Sequence, residues 1–402
     1  MAAVWVDQMQ ELVGELPSLA ISFPCVGANA GLVALYDSGH RGIIPVHMYD
    51  IDEACRKPLA ALLGVDRVPP TLGAEHGDIL KVDPNSLTCP DGLVSGPPCQ
   101  FVATGGKQDP WNHPGLMVFN QVIAWIENFA ARELKFFVLE NVKGLSRRYG
   151  GQPSVLSLAE ARLRSMTPAF GIRVWSMNSK DYTLAQHRER WYIIGVRASV
   201  LRQAGHRAIP PRGPPPMPRC GLSWFLTGGI PNTSLSSLTH QQCQNLLAYK
   251  MLASCQLHAK VMQGMLMACD VSRRPTASWG PKYRIDDVVD TLTTFSSRIF
   301  VMSLGEGQSP TVHRFLQSDE MCRLQGFRPE LFAACTEKET TRLVGNSFSV
   351  PVVGVVLRYC MQVLTAATET TEERSRSRSR SRSLPFTVRS SPSSPVCISD
   401  SD

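Results

Sequence analysis

Cys99 stands behind two consecutive prolines in the run Ser95-Gly96-Pro97-Pro98-Cys99-Gln100. Each proline fixes φ and removes a backbone donor, so neither a helix nor a central strand can pass through. The apolar run Gly92-Leu93-Val94 precedes the loop and Gly105-Gly106 loosens its far side. This arrangement presents a thiol, and a presented thiol is a candidate nucleophile. A buried thiol at a strand end is the ordinary reading of a lone cysteine. Three further groups argue against it. Glu140 closes the buried-strand pattern Phe136-Phe137-Val138-Leu139, where an acid can hold and deliver a proton. Arg188 and Arg190 are two apart in Gln186-His187-Arg188-Glu189-Arg190, which leads into the strand pattern Trp191 to Val196; on an extended segment they share one face. Leu343-Val344-Gly345-Asn346-Ser347 lies near the C-terminus.

The elements that must position these groups alternate between strand and helix. Leu19 to Phe23 reads as a short buried strand, Pro24 to Gly31 as a small-residue turn, and Leu32 to Tyr36 as a helix. Strand, glycine turn and helix form the usual place for a nucleotide-like cofactor. Pro45 to Tyr49 is a second strand ending in Asp50-Ile51-Asp52. An acid there can accept from ribose hydroxyls or cap the helix expected from Ala54 to Leu63. Leu116 to Phe129 has helical spacing, and Val174 to Asn178 with Trp191 to Arg197 reads as a closing hairpin. The pattern predicts an α/β fold: a Rossmann-like, mostly parallel sheet.

Taken in order, the Pro98-Cys99-Gln100 loop, Glu140-Asn141-Val142, Gln186-x-Arg188-x-Arg190 and Gly345-Asn346 resemble the motifs of the C5-cytosine methyltransferase family. The resemblance runs from about Ile21 to Arg358 and includes the helical segment Leu316 to Phe327. It implies a class I methyltransferase fold that uses S-adenosylmethionine. It assigns catalysis to Cys99, Glu140, Arg188 and Arg190. It assigns cofactor binding to Phe23, Gly27, Asp50, Asp78, Pro98 and Asn346, and no metal. In the chemistry so implied, a thiolate adds to C6 of cytosine, which makes C5 nucleophilic. A protonated Glu140 facing N3 relieves the charge placed on the ring. The arginines hold the base's O2 and the loop. Such a mechanism calls for a depressed thiol pKa, and it requires a base flipped out of the stack or already single-stranded. In the cofactor turn, Cys25 and Ala28 stand where the family usually has glycine.

The 402 residues divide by composition. Residues 1–208 form the first part of the catalytic domain. A Pro-rich linker and target-recognition region, read as mainly helical between Gly221 and Pro281, occupies 209–284. The domain closes over 285–368, and 369–402 is a tail. The tail holds the strict alternation Arg374 to Ser383, a pattern no packed core uses, so disorder is expected. Its Arg-Ser repeat resembles tails of RNA-associated nuclear proteins, which implies a nuclear location and nuclear protein partners. Val396 to Asp402 sets a β-prone patch before acids.

The net charge of +7 is compatible with nucleic acid, DNA by the resemblance and RNA as the alternative. The family's RNA-modifying branch usually carries Cys-Phe-Thr, which is absent here. The 12 cysteines lack regular spacing, and Asp7 and Glu11 interrupt the first apolar residues, so a reducing compartment is expected. No uninterrupted apolar run has the length to span a bilayer, and no membrane partner is expected. Cys243, Cys255, His258 and Cys269 lack the paired spacing of a zinc site. A non-catalytic adaptor that keeps the fold is the reading from another class, and Cys25 is its support.

Overall fold

The computed structural model describes residues 18–40, 42–103, 109–256, 266–275, 283–294, 296–304 and 312–382, with side chains to 371. Val4, Met9, Leu12, Val13 and Leu16 lie near helical spacing, and that amphipathic segment and the patch from Val396 lie outside the described residues. The main sheet contains β1 (Leu19–Pro24), β2 (Ile43–Tyr49), β3 (Gly92–Ser95), β4 (Phe136–Val142), β5 (Phe170–Asn178) and, after the short β6 (Gln186–His187), β7 (Glu189–Arg197). Its order is β2-β1-β3-β4-β7-β5. The first four strands are parallel; β7 is antiparallel to both β4 and β5.

A sheet covered on both faces has apolar side chains on both. In β4, Phe136 and Val138 enter one core while Phe137 and Leu139 enter the other. The first core also takes α1 (Ala30–Asp37), α2 (Arg56–Leu63) and part of the C-terminal helix; the second takes α3 (Pro114–Ala130) and α4 (Val155–Arg164). Helix α3 starts with Pro114 at its first position, where the missing N–H costs nothing, and His113 Nδ1 accepts from Gly115 N at 2.9 Å. It buries Phe119, Val122, Ile126 and Phe129 at helical spacing. Each of these side chains is fully buried, which contributes about 1.5–3 kcal/mol per residue of transfer free energy. Helix α5 (Ala198–Gln203) follows β7.

Between Gly221 and Pro281, where a mainly helical region is expected, the described residues hold short helical turns, one long helix and one strand. The long helix there, among the described residues, is α6 (His240–Gln256). Strands β8 (Leu266–Asp270), β9 (Tyr283–Arg284), β11 (Ile299–Ser303) and β12 (His313–Phe315) form a second sheet ordered β12-β11-β8-β9, while β10 (Val289–Asp290) pairs with β6. This sheet crosses the boundary drawn at residue 284. Leu266-Met267-Ala268-Cys269 has no β-branched residue, so its local preference is helical. Pairing with Ile299–Ser303, some 30 residues on, makes it a strand.

The chain closes through α7 (Ser318–Gln325), α8 (Glu337–Asn346) and α9 (Val350–Arg382). Glu320 completes the capping box of α7 and forms a bidentate pair with Arg314 at 2.6 and 2.8 Å; both side chains are buried. Gly326, at φ +90°, ends that helix, as its spacing predicts. Helix α9 packs against α1 and α5 and is buried along Val350 to Ala367. Val350–Thr371 has the length and apolar composition to cross a membrane, even though Arg358 interrupts it, but here it is a core helix. The same helix runs on to Arg382. A helix already nucleated in the core adds residues without a new nucleation cost.

Candidate active site

The loop after β3 carries Cys99, and its conformation follows from its contacts. Val102 N and Ala103 N donate to the Cys99 carbonyl at 3.0 and 2.9 Å, so the chain turns back directly behind the thiol. Asn141 Nδ2 donates to the Pro97 carbonyl at 3.1 Å, and Asn141 Oδ1 accepts from Val142 N at 2.9 Å. Ser95 Oγ donates to the Pro24 carbonyl at 2.6 Å and ties the base of the loop to the end of β1. Gly96 has no room for a side chain: a Cβ there would lie 2.2 Å from the Phe348 ring. The nucleophile loop, the acid strand and the closing segment therefore meet at the carboxyl end of the sheet.

Glu140 is buried near the end of β4. Arg190, paired in register with Val142, places Nε 3.2 Å from Glu140 Oε1. The angle does not complete a hydrogen bond, so Oε1 is buried with no donor. Burial raises the Glu140 pKa, against the pull of Arg190 and Arg188. The Cys99 thiol is also raised, chiefly by burial; Arg190 lowers it, Glu140 raises it and Arg188 lowers it. The expected depressed thiol pKa is thus corrected: desolvation outweighs two guanidinium groups. The same interactions place Cys99, Glu140 and both arginines in one electrostatic cluster.

The arginines part company within it. Residue 188 sits at the break between β6 and β7, where strand alternation is interrupted, and its N–H bonds Asn178 Oδ1 at 3.0 Å. The buried Arg188 guanidinium donates to the carbonyls of Leu292 (2.8 Å), Gly345 (3.3 Å) and Ser347 (2.6 Å). Its own pKa is pulled down to about 9 by burial and by Arg190. Their bonded partners differ: Arg188 anchors the returning chain and Arg190 attends Glu140. Gln186 does related work, donating to Leu324 O and Gln325 Oε1 at 2.9 and 2.6 Å.

The cofactor candidates gather at the ends of β1 and β2. Phe23 is a core side chain. Asp50 Oδ2 accepts from Gly27 N at 2.8 Å and Oδ1 from Asp52 N at 2.9 Å, and burial raises its pKa. Asp52, not Asp50, caps the following turn through Ala54 N at 3.1 Å. Asp78 is half-buried and caps its own turn through Leu80 N at 3.1 Å; Gly73 N to Asp50 O at 2.8 Å and Gly77 N to Gly73 O at 2.7 Å bring it toward β2. Pro98 is half-buried beside Cys99, and Asn346 is exposed at the end of α8. The turn itself is left-handed at Cys25 (φ 57°), Gly27 (φ 50°) and Asn29 (φ 51°). A Cβ built on Gly27 meets nothing within 4 Å, and Asn29 Nδ2 is buried with no acceptor. Open space beside the backbone and an unpaired buried donor fit a polar cofactor.

Sequence reasoning missed Asn141, Ser95, Gln325 and Arg342. Asn141 had a signal, since it directly follows Glu140; the others are recognisable only through partners distant in the chain.

These positions can be set beside known proteins. The family described as C-5 cytosine-specific DNA methylase matches residues 69–362, a span that holds Cys99, Glu140, Arg188, Arg190 and Asn346. The orphan methyltransferase M.SPRI of Bacillus phage SPR is 31% identical over 154 residues, 38% of this chain and 32% of the relative. The type II methyltransferase M.NgoBI of Neisseria gonorrhoeae is 25% identical over 301 residues, 72% of this chain and 80% of the relative. This chain thus spans about a third of the length of M.SPRI. Among solved structures, a mutant DNMT2 of Spodoptera frugiperda has TM-score 0.57 at 16% identity, covering 85% of this chain and 99% of that one. The Dnmt2 methyltransferase of S. pombe gives 0.55 at 14%, covering 86% and 99%. Those two share the class I methyltransferase fold with this chain. The family match spans most of the chain and takes in the whole thiol–carboxyl–arginine cluster: this protein belongs to the C-5 cytosine-specific DNA methylase family.

Proposed function

We propose that this chain is a DNA (cytosine-5)-methyltransferase that uses S-adenosylmethionine and forms a covalent adduct with a flipped cytosine. One observation carries the reading: Glu140 is buried, its Oε1 lies 3.2 Å from Arg190 Nε without receiving a hydrogen bond, and its charge acts on Cys99. Burial raises the Glu140 pKa, so the carboxyl takes up a proton more readily than an exposed acid and can share it with N3 as negative charge develops on the ring. Cys99, neutral at rest, gives its proton to solvent water as its sulfur bonds to C6, while the proton on Glu140 passes to N3. Arg190 stabilises the thiolate and orients the carboxyl. Removal of the C5 proton then expels Cys99 as the double bond reforms.

Phe23, Gly27, Asn29, Asp50, Asp78, Pro98 and Asn346 are the residues that would hold the cofactor, which when bound supplies an electrophilic methyl group. Asp50, Gly27 and Asn29 carry most of the support, through the open turn and the unpaired amide. The Arg-Ser tail favours RNA as a second substrate class and a nuclear setting. The test is methyl transfer from labelled S-adenosylmethionine to duplex DNA and to tRNA by the full chain, with the product base identified as 5-methylcytosine. Transfer to tRNA alone moves the substrate to RNA; binding of cofactor without transfer to either polymer makes the protein an adaptor.

A further inference from the structure

The cofactor turn has an unusual construction. Cys25 takes a left-handed φ of 57° that favours glycine. Something must hold that conformation, and the holding group is Asp50, which accepts from Gly27 N at 2.8 Å with one oxygen and from Asp52 N at 2.9 Å with the other. Asp52 is in turn fixed by Arg342 of α8, whose NH2 donates to Asp52 Oδ1 at 2.9 Å. One turn earlier on the same helix, Glu339 binds Lys57 Nζ at 2.7 and 2.9 Å and seats α8 against α2. Arg342 Nε is buried with no acceptor, so the side chain is held in this place at the expense of one of its own bonds.

We propose that Arg342 is a positioning residue: the relay Arg342–Asp52–Asp50–Gly27 braces the cofactor turn and replaces the conformational freedom lost where this chain carries Cys25. Three independent features converge on it. The turn is left-handed at a residue with a side chain, its brace is a carboxylate with both oxygens on backbone amides, and the brace is tied to a helix 290 residues away by an ion pair. The relay also links the turn after β1 to α8. Burial disfavours the charged form of Asp50, and the Arg342 charge opposes that effect. The inference rests on the proposal that this turn binds S-adenosylmethionine.

A double-mutant cycle on the full chain tests it, read by calorimetric titration with S-adenosylmethionine. In the Cys25 background, Arg342→Ala raises the dissociation constant about three- to fivefold, the scale of a half-exposed ion pair, and Arg342→Lys restores most of the loss. In the Cys25→Gly background, where the turn adopts its conformation unaided, the same substitution costs less than twofold. Thermal unfolding of the unliganded variants separates the brace from general stability: a merely structural role lowers the midpoint and weakens binding equally in both backgrounds. An equal loss in both backgrounds, or none in either, overturns the relay and leaves the cofactor assignment standing. No binding by the unmodified chain overturns both.

Discussion

Arg190 Nε lies 3.2 Å from Glu140 Oε1, yet leaves that oxygen without a hydrogen bond. The pair joins two adjacent strands at the edge where the Cys99 loop ends, so one cation influences both the acid and the thiol. Burial raises the pKa of both groups, and Arg190 is the largest charge opposing it at each.

The first prediction concerns pH. The Cys99 thiol is raised above its ordinary 9.0 by burial. Iodoacetamide labelling of Cys99 therefore rises with pH and reaches half its maximum above that value, since only the thiolate reacts. Removing a negative neighbour lowers a thiol pKa and removing a cation raises it. Glu140→Gln thus speeds labelling at fixed pH severalfold, and Arg190→Ala slows it. Mass-spectrometric labelling rates check both signs; the opposite order would separate the three groups.

Cys99→Ser abolishes methyl transfer while leaving S-adenosylmethionine affinity unchanged, because Cys99 carries the covalent step. A 5-fluorocytosine substrate traps an adduct with the unmodified chain, since fluorine cannot leave as a proton does. Mass spectrometry of the complex should show the added mass on the peptide that contains Cys99. Retained turnover in the serine variant would refute the nucleophile assignment.

Asn141→Ala frees the Pro97 carbonyl and lets the nucleophile loop drift from the acid. Loss of such alignment lowers kcat by up to about 10²-fold. Cofactor affinity falls less than kcat, because the Asn141 side chain bonds Pro97 and Val142 and not a cofactor candidate directly. Comparing kcat with the dissociation constant from titration decides between alignment and general damage.

Glu320→Ala leaves Arg314 buried without its carboxylate. Breaking a buried pair from one side costs about 3–5 kcal/mol. It also removes the acceptor of Thr227 N at 2.6 Å, the link from the segment after the linker to α7. Urea unfolding of the variant shows the loss; a change below 1 kcal/mol would mean that the pair is solvated in solution.

How much of this was legible depends on the range of each signal. The paired prolines announce the Cys99 loop within four residues, and Phe136 to Leu139 declare a doubly buried strand. The capping box and stop of α7 are local too. The second sheet was illegible, because Leu266–Asp270 becomes a strand only when Ile299–Ser303 lies beside it. Arg188 was legible as an arginine in register, but not as the anchor of carbonyls more than 100 residues away.

By itself, the amino-acid sequence determined the order of strands and helices, the stiff loop that carries the thiol, and the acid at the end of β4, since prolines and apolar periodicity act over a few residues. The tertiary structure alone decided how burial shifts the ionisation of those groups, which arginine pairs with the acid, and what contacts the turn around Cys25. Those properties arise from desolvation and from ion pairs between segments far apart in the chain, and no local pattern encodes them.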